Sequence, residues 1–287
     1  MMVLLRRWMT LLIVTIAATA LVNSISWSDP NRRHVFRQGG VVKLRGGAGT
    51  KDEGYSFSLT TFSPRGSLNQ IEYAMNSASE GALAVAAQYD CPHRSGRGIA
   101  VASLRKPESS LIVELIGTRK ITPVSDRIVL LYSGLAADSR ILARRAQECC
   151  LEYQAKYGDG DAVLLETLVS EVALVMQEYT QMAGVRPFGV TLLMAGIDID
   201  GTSQIYRIDP SGAYSSWKGC AIGKGSEKAE EILEKCFKES SLERDRALEL
   251  VLSTVLRCSP TPVRRQDVDI AFVEGGTVNT LNPLDVV

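Results

Sequence analysis

The chain has 287 residues, of which 45% are apolar and 22% are charged, so it can bury a sizeable core. Its 32 basic and 32 acidic side chains give a formal net charge of zero. This balance argues against a dominant attraction to nucleic acid or to an acidic membrane, and we predict neither as a partner of the folded part.

The cysteines and histidines lack the spacing of a metal site. Six cysteines are scattered without a C-x-x-C pair, and the sequence has only two histidines. Tetrahedral zinc sites need clustered ligands, so we predict no metal, and we also predict no cofactor. Cys149, Cys236 and Cys258 fall within helical patterns and are expected to be small buried thiols.

The first fifty residues form a leader of two parts. Residues 1–22 carry Arg6-Arg7, an uncharged apolar run and small residues near its end, which is typical of a secretory signal peptide. Residues 23–50 hold five basic side chains against one acid, Asp29, and two glycine pairs, so we predict a disordered basic leader. The folded domain is therefore expected over residues 51–287. A wrong gene start or a fused upstream leader would explain the same fifty residues.

Residues 54–74 predict a turn followed by a helix. Pro64 and Gly66 favour the turn, and Ser67 with Gln70 fits a capping box at the helix start. The apolar face expected on this helix consists of Leu68, Ile71, Met75 and Ala78.

The rest of the chain alternates between groups of strands and groups of helices. Strands are predicted at residues 82–89, 98–104, 120–124, 128–133, 189–196, 204–209, 217–222 and 267–273. Helical faces are predicted around residues 142–153, 165–179, 232–237 and 248–255. These segregated runs favour an α+β layered fold over βαβ alternation.

Five blocks in this order resemble the alpha subunits of the 20S proteasome core, and Tyr55-Ser56-Phe57 resembles the type-2 alpha subunit. The blocks are residues 54–74, 176–181 (MQEYTQ), 184–190 (GVRPFGV), 209–214 (DPSGAY) and 217–225 (WKGCAIGKG). The resemblance implies the four-layer αββα sandwich of the N-terminal-nucleophile hydrolases. It also implies a non-catalytic subunit that assembles into the alpha ring, gates substrate entry and docks regulatory particles in ubiquitin-dependent protein degradation.

The catalytic relatives in that superfamily use an N-terminal threonine with a supporting acid and lysine. The matching positions here are Ala82 for the nucleophile, Ser103 or Leu104 for the acid, and Lys120 for the lysine. We therefore predict no catalytic residue and no enzyme. Thr50 after Gly49 is too far ahead of the first strand to serve, and Cys91 with His93 fits an exposed turn better than a catalytic relay. A catalytic or self-standing hydrolase remains the alternative.

The resemblance also assigns expected roles to individual residues. Tyr55, Pro64 and Tyr73 match positions that support the gate at the ring axis, and Lys120 matches the lysine that receives the C-terminal carboxylate of regulatory proteins. The implied partners are neighbouring alpha subunits, the beta ring and the tails of regulatory particles. The expected location is the cytoplasm and nucleus. If residues 1–50 act as a presequence, a complex plastid or a secretory compartment is expected instead, and the chain would be a relict subunit imported into an organelle.

Two further blocks are expected to be structural. Arg186-Pro187 is predicted to fix a turn between a helix and a strand, and residues 209–212 are predicted to turn between two strands. Trp217 and Lys218 are assigned to ring packing or to the fold.

Overall fold

The computed structural model describes Phe62, Gly66 and residues 68–91, 96–105, 120–158, 163–182, 184–239, 242–259 and 262–281. All of these belong to one compact unit that spans Tyr55–Val287. The predicted signal peptide at residues 1–22 and leader at residues 23–50 lie outside the described residues. Within the described part, no helix has both the length and the apolarity needed to cross a membrane.

The described helices and strands follow one another in the segregated order that the sequence predicts. The helices are α1 (Asn69–Ser79), α2 (Ala136–Tyr157), α3 (Leu165–Gln181), α4 (Ser226–Glu239) and α5 (Arg244–Cys258). The strands are β1 (Ala84–Cys91), β2 (Gly96–Leu104), β3 (Ile121–Ser125), β4 (Ile128–Gly134), β5 (Val190–Ile197), β6 (Ser203–Ile208), β7 (Tyr214–Trp217), β8 (Gly219–Ile222), β9 (Val268–Glu274) and β10 (Thr277–Leu281). A short 3₁₀ turn, Arg265–Asp267, precedes β9.

The strands form two antiparallel sheets of five. Sheet A has the order β10-β9-β2-β1-β8, and sheet B has the order β3-β4-β5-β6-β7. Register in sheet A pairs Val85 with Ala221 and Val101 with Ala271, so strands from both ends of the domain meet there. Sheet B instead pairs strands that are consecutive in the chain.

Three apolar layers hold the two sheets and the helices together. One joins α4 and α5 to sheet A, a second joins α2 and α3 to sheet B, and the third lies between the sheets. Alternate residues of one strand serve two layers: Leu130 of β4 faces the helices, whereas Val129 and Leu131 face sheet A. This order of layers is the αββα sandwich, so the predicted fold class is confirmed.

One predicted strand is two strands in the structure. The sequence predicts a single strand over residues 217–222, but β7 ends at Trp217 in sheet B and β8 begins at Gly219 in sheet A. The chain crosses between the sheets at Lys218, whose carbonyl accepts the Gln88 N–H at 2.9 Å. The sequence pattern does not reveal such a crossing, because both halves are extended.

A last hairpin was missing from the sequence prediction. β9 turns at Gly275-Gly276, both with positive φ, into β10, which the predicted strand at residues 267–273 leaves out. A Gly-Gly pair between extended segments is a recognised hairpin signal. The strand was missed because its own alternation is weak and its side chains are mostly exposed.

The start of α1 differs from the predicted capping box. Leu68, rather than Ser67, occupies the N-cap position, without a side-chain cap. Its carbonyl accepts the N–H groups of Ile71 and Glu72 at 3.0 and 3.2 Å, so the helix begins one residue later than predicted. Ser67 itself lies outside the described residues.

Candidate functional site

Helix α1 packs on the ends of β4 and β5. Its buried residues are Ala74 and Ala78, and the Ser133 hydroxyl at the end of β4 donates a 2.8 Å hydrogen bond to the Ala78 carbonyl. A Cβ placed on Gly134 would lie 3.1 Å from the Ala78 Cα and 2.2 Å from the carbonyl oxygen of Gly189. Small residues on both sides therefore bring the helix backbone against the sheet.

The apolar face predicted for α1 is only partly right. Ala78 is buried as expected, but Met75 is 38% exposed and Ala74 is buried in its place. The buried face is shifted because the helix backbone approaches Gly134 closely. This approach favours alanine over larger side chains at positions 74 and 78, which lie four residues apart. Tyr73, 41% exposed, lies on the outer side with Met75. The exposed surface of α1 therefore combines Tyr73 and Met75 with polar side chains, among them Glu72 and Asn76.

The link from α1 to β1 is enclosed by backbone. A Cβ on Gly81 would lie 2.2 Å from both the Gly134 backbone nitrogen and the Ser133 hydroxyl oxygen. A Cβ on Gly223 would lie 2.6 Å from the Ala82 carbonyl oxygen, and the Gly81 carbonyl accepts the Lys224 N–H at 2.9 Å. The end of the sandwich that holds Ala82, the position matched to the nucleophile, is therefore covered by α1 and this link. We call it the closed end.

The position matched to the supporting acid lies beside the segment matched to the nucleophile. The Leu104 N–H donates to the Leu83 carbonyl at 2.9 Å, which places the end of β2 beside the segment that follows Ala82. Ser103 is fully buried and stands opposite Asp269 in the β2–β9 register. The charge of Asp269 in turn acts on Lys120. At the matched positions, Ala82 offers no hydroxyl, and neither Ser103 nor Leu104 carries an acidic group.

Lys120 stands immediately before β3, half-buried. Its Nζ lies 5.2 Å from the centroid of the Tyr132 ring, within the range of a cation–π contact. Burial lowers the pKa of Lys120, and the negative charge of Asp269 acts in the opposite direction. Asp269 is shared, because its Oδ1 lies 3.7 Å from Nε of Arg105. The sequence prediction missed Tyr132, although extending the Ile121–Leu131 pairing by one residue places it opposite Lys120.

Several predicted residues fall where the structure gives no description. Of the predicted gate residues only Tyr73 is described. Outside the described residues lie Tyr55, Pro64, His93 and the Gly49-Thr50 pair, and the side chain of Cys91 is likewise not described. The roles assigned to Tyr55, Pro64, Tyr73 and Lys120 stay predictions.

An ion pair fixes the segment before β5, as predicted for Arg186-Pro187. Arg186 donates two hydrogen bonds to the buried carboxylate of Asp138, at 2.6 and 2.8 Å, and a third to the Pro187 carbonyl. The Gly189 N–H donates to the same carboxylate at 3.0 Å. Burial alone would raise the pKa of Asp138, but the hydrogen bonds and charge of Arg186, with the Gly189 N–H, lower it overall.

The blocks around Trp217 and Asp209 also have structural contacts. The Arg207 guanidinium stacks 4.6 Å from the Trp217 ring centroid and lies 3.2 Å from Oε1 of Glu230. Residues 209–212 form the predicted turn between β6 and β7, in which Gly212 has a φ of +83° and its N–H donates to the Asp209 carbonyl. These residues tie sheet B to α4.

The cysteines whose burial is described are free thiols. Cys258 is buried as predicted, together with Cys150 and Cys220, whereas Cys149 and Cys236 are only half-buried. Burial raises the pKa of Cys150 to about 11 and that of Cys220 to about 12, so these thiols are poor nucleophiles at neutral pH. Among the described residues no group of three His, Cys, Asp or Glu side chains could hold a metal ion.

Two antiparallel sheets packed face to face between two helical layers define the N-terminal-nucleophile hydrolase class of fold. Sequence comparison narrows this further. The profile of the proteasome subunit family matches residues 93–272, and the N-terminal signature of A-type proteasome subunits matches residues 55–76. The chain belongs to the proteasome subunit family and carries its alpha-type signature.

Individual relatives agree with this assignment. The alpha type-2 proteasome subunit of Dictyostelium discoideum is 37% identical over 222 residues, covering 77% of this chain and 90% of that protein. The alpha type-2 proteasome subunit of Caenorhabditis elegans is 38% identical, covering 76% and 89%. The alpha type-7 proteasome subunit of Dictyostelium discoideum is 39% identical over a shorter stretch, 66% of this chain and 72% of that protein.

Proposed function

We propose that this chain is a non-catalytic alpha-ring subunit of the 20S proteasome core. The observation that carries the proposal is the closed end, where α1 covers the sandwich and Ala82 occupies the nucleophile position. Several relatives are named alpha type-2 subunits, which supports the same assignment. The subunit then contributes to protein degradation through assembly rather than through its own chemistry.

The side chains at the closed end support the proposal that the chain has no catalytic activity of its own. Nucleophilic attack requires a hydroxyl or thiol with a base within hydrogen-bond reach. Ala82 offers a methyl group, and the nearby Ser133 hydroxyl donates to the Ala78 carbonyl at 2.8 Å. Leu104 cannot carry the charge that supports the lysine in a catalytic relative. Lys120 therefore has no catalytic nucleophile to support, and we propose that it acts in binding instead.

The partners proposed are the neighbouring alpha subunits, the beta ring and the C-terminal tails of regulatory particles. The exposed Tyr73 and Met75 on α1 give an apolar surface suited to a contact between subunits near the ring axis. The half-buried ammonium of Lys120 suits a carboxylate, because charge-assisted contacts outweigh neutral ones. We propose the cytoplasm and nucleus as its location, or an organelle reached through residues 1–50.

Assembly is tested on the tagged full chain. We expect it to migrate on a native gel with a high-mass particle that carries peptidase activity, and to cleave no peptide when purified alone. N-terminal sequencing should show no mature start at residue 82. A chain that stays monomeric in extract contradicts the ring assignment, whereas a new Thr or Ser start before a strand supports the alternative hydrolase. A fluorescent reporter fused to residues 1–50 tests location.

Docking is tested with matched lysine variants of the assembled particle. The probe is a short apolar peptide with a free C-terminal carboxylate, and its C-terminal amide is the control. We expect Lys120→Met to weaken carboxylate binding about tenfold or more, the range for loss of a charge-assisted contact. Lys156→Met serves as the control because Lys156 also lies over a tyrosine ring, 5.1 Å from Tyr157, but away from the closed end. Equal binding by both variants contradicts docking at Lys120.

A further inference from the structure

Tyr132 holds a position that the proposed function leaves unexplained. It is the last aromatic residue of β4, only 6% exposed, and its ring stands under the ammonium of Lys120 at 5.2 Å. The side chain faces the layer between sheet B and helices α2 and α3. Lys120 thus leans over the helix-facing side of sheet B at the start of β3.

The ring of Tyr132 is held on two sides. Its backbone lies in β4 and pairs with Leu192 of β5. Burial raises the pKa of the Tyr132 hydroxyl, and Ser139, in the first turn of α2, acts to lower it. Ser139 is itself fixed, since it is only 3% exposed and its hydroxyl donates to the Ala136 carbonyl at 2.9 Å. A ring anchored in this way is a rigid platform for a flexible lysine side chain.

Two groups compete for the Lys120 ammonium. The Tyr132 ring attracts it from β4, and the Asp269 carboxylate attracts it from β9. Arg105 faces the same carboxylate at 3.7 Å, and Arg140 of α2 acts on the Tyr132 hydroxyl. An ammonium drawn fully onto Asp269 would already be neutralised. The aromatic face, by contrast, attracts the ammonium but carries no negative charge that would neutralise it.

We propose that Tyr132 is a positioning residue for Lys120, holding its ammonium over the ring and away from Asp269 so that it can meet an incoming carboxylate. The proposal rests on the docking role given to Lys120 above. It adds Tyr132, and Ser139 behind it, to the residues on which that role depends.

The proposal is tested first by a property of Lys120 that does not depend on docking. Trace acetylation of the full chain over a range of pH, read by mass spectrometry, gives the apparent pKa of the Lys120 amine. Lys156 in the same sample is the internal reference. We compare Tyr132→Phe, which keeps the ring, with Tyr132→Leu, which removes it while keeping most of the apolar volume.

Loss of the ring should lower the apparent pKa of Lys120 by about half to one unit, the size of a cation–π contact at a half-buried site. Tyr132→Phe should leave it unchanged, and the Lys156 profile should be the same in all variants. Tyr132→Met gives a second ring-free variant with an adaptable side chain if the leucine variant does not fold. An unchanged Lys120 profile in the ring-free variants, or an equal change in the phenylalanine variant, overturns the proposal.

Binding of the carboxylate peptide separates this proposal from the docking function. In assembled particles we expect the ring-free variants to weaken binding about threefold to tenfold and Tyr132→Phe to leave it unchanged. If Lys120→Met has no effect on binding while the labelling result holds, the docking function fails but Tyr132 still positions Lys120. If Lys120→Met weakens binding and the ring-free variants do not, the positioning proposal fails and docking stands.

Discussion

The close approach at Gly134 can be tested against a second glycine with a similar positive φ. Gly134 has a φ of +114° and Gly158, after α2, has a φ of +105°. Alanine is strained at either position, by about 1–2 kcal/mol, and part of this is offset by the lower entropy of the unfolded chain, about 0.4–1 kcal/mol. The two substitutions therefore share their backbone cost. They differ in what the new methyl group meets.

At Gly158 a Cβ has no heavy atom within 4 Å, whereas at Gly134 it falls 2.2 Å from the Gly189 carbonyl oxygen. That oxygen accepts the Leu135 N–H at 3.0 Å, so it cannot move without loss of a hydrogen bond. Overpacking of about 1–3 kcal/mol and a lost hydrogen bond of about 0.5–1.5 kcal/mol add to the cost at Gly134. We expect Gly158→Ala to cost about 1 kcal/mol and Gly134→Ala about 2–4 kcal/mol more.

The assay is urea unfolding of the full chain, with incorporation into particles as a second readout. Gly134→Ala should lower both the urea midpoint of unfolding and incorporation into particles. The displaced backbone would no longer allow Ala78 of α1 to pack closely against it. Equal free energies of unfolding for the two variants would refute the reasoning, since they would show that the sheet end relaxes around a methyl group. Normal incorporation of the Gly134 variant would show that α1 does not depend on this contact.

Two buried aspartates should give opposite pH dependence. The pKa of Asp138 is lowered from 3.8, so its stabilisation is present above pH 3.8 and is lost as the pH falls through the folded pKa. Asp138→Asn should therefore destabilise the chain at neutral pH by about 1–3 kcal/mol and much less in acid. The Asp198 carboxylate accepts the Leu165 N–H at 2.8 Å, but burial raises its pKa, so wild-type stability should fall relative to Asp198→Asn as the pH rises from about 4. Urea midpoints measured between about pH 2 and pH 7 check both. The range must extend that low because the folded pKa of Asp138 lies below 3.8. Parallel curves for the two variants would contradict the assignment.

The sequence predicted the layers well because the periodic signal is strong. In the predicted helical stripe of α3, Leu165, Leu168 and Val172 are buried, and Val175 and Tyr179 are partly buried. The apolar run of β4 likewise lies in the core. In α3 the helical spacing determines the buried side, whereas the continuous apolar run of β4 indicates a strand buried on both sides.

What the sequence did not predict depends on contacts between distant segments. Met75 and Ala74 are equally compatible with a buried face until Gly134 brings the helix backbone close. The crossing at Lys218 leaves the extended conformation unchanged on both sides, so no local signal marks it. The contact between Tyr132 and Lys120 depends on the pairing register of β3 and β4. The sequence pattern alone determines that register only to within one or two residues.

The two sheets also differ in when their strands become available during synthesis. Every neighbour in sheet B is the next strand along the chain, so this sheet is complete once Trp217 has been made. The β1–β2 hairpin must wait for β8 and for β9, which begins at Val268. Until then both of its outer edges can pair with other chains. The last quarter of the sequence therefore completes a sheet that the first strands began.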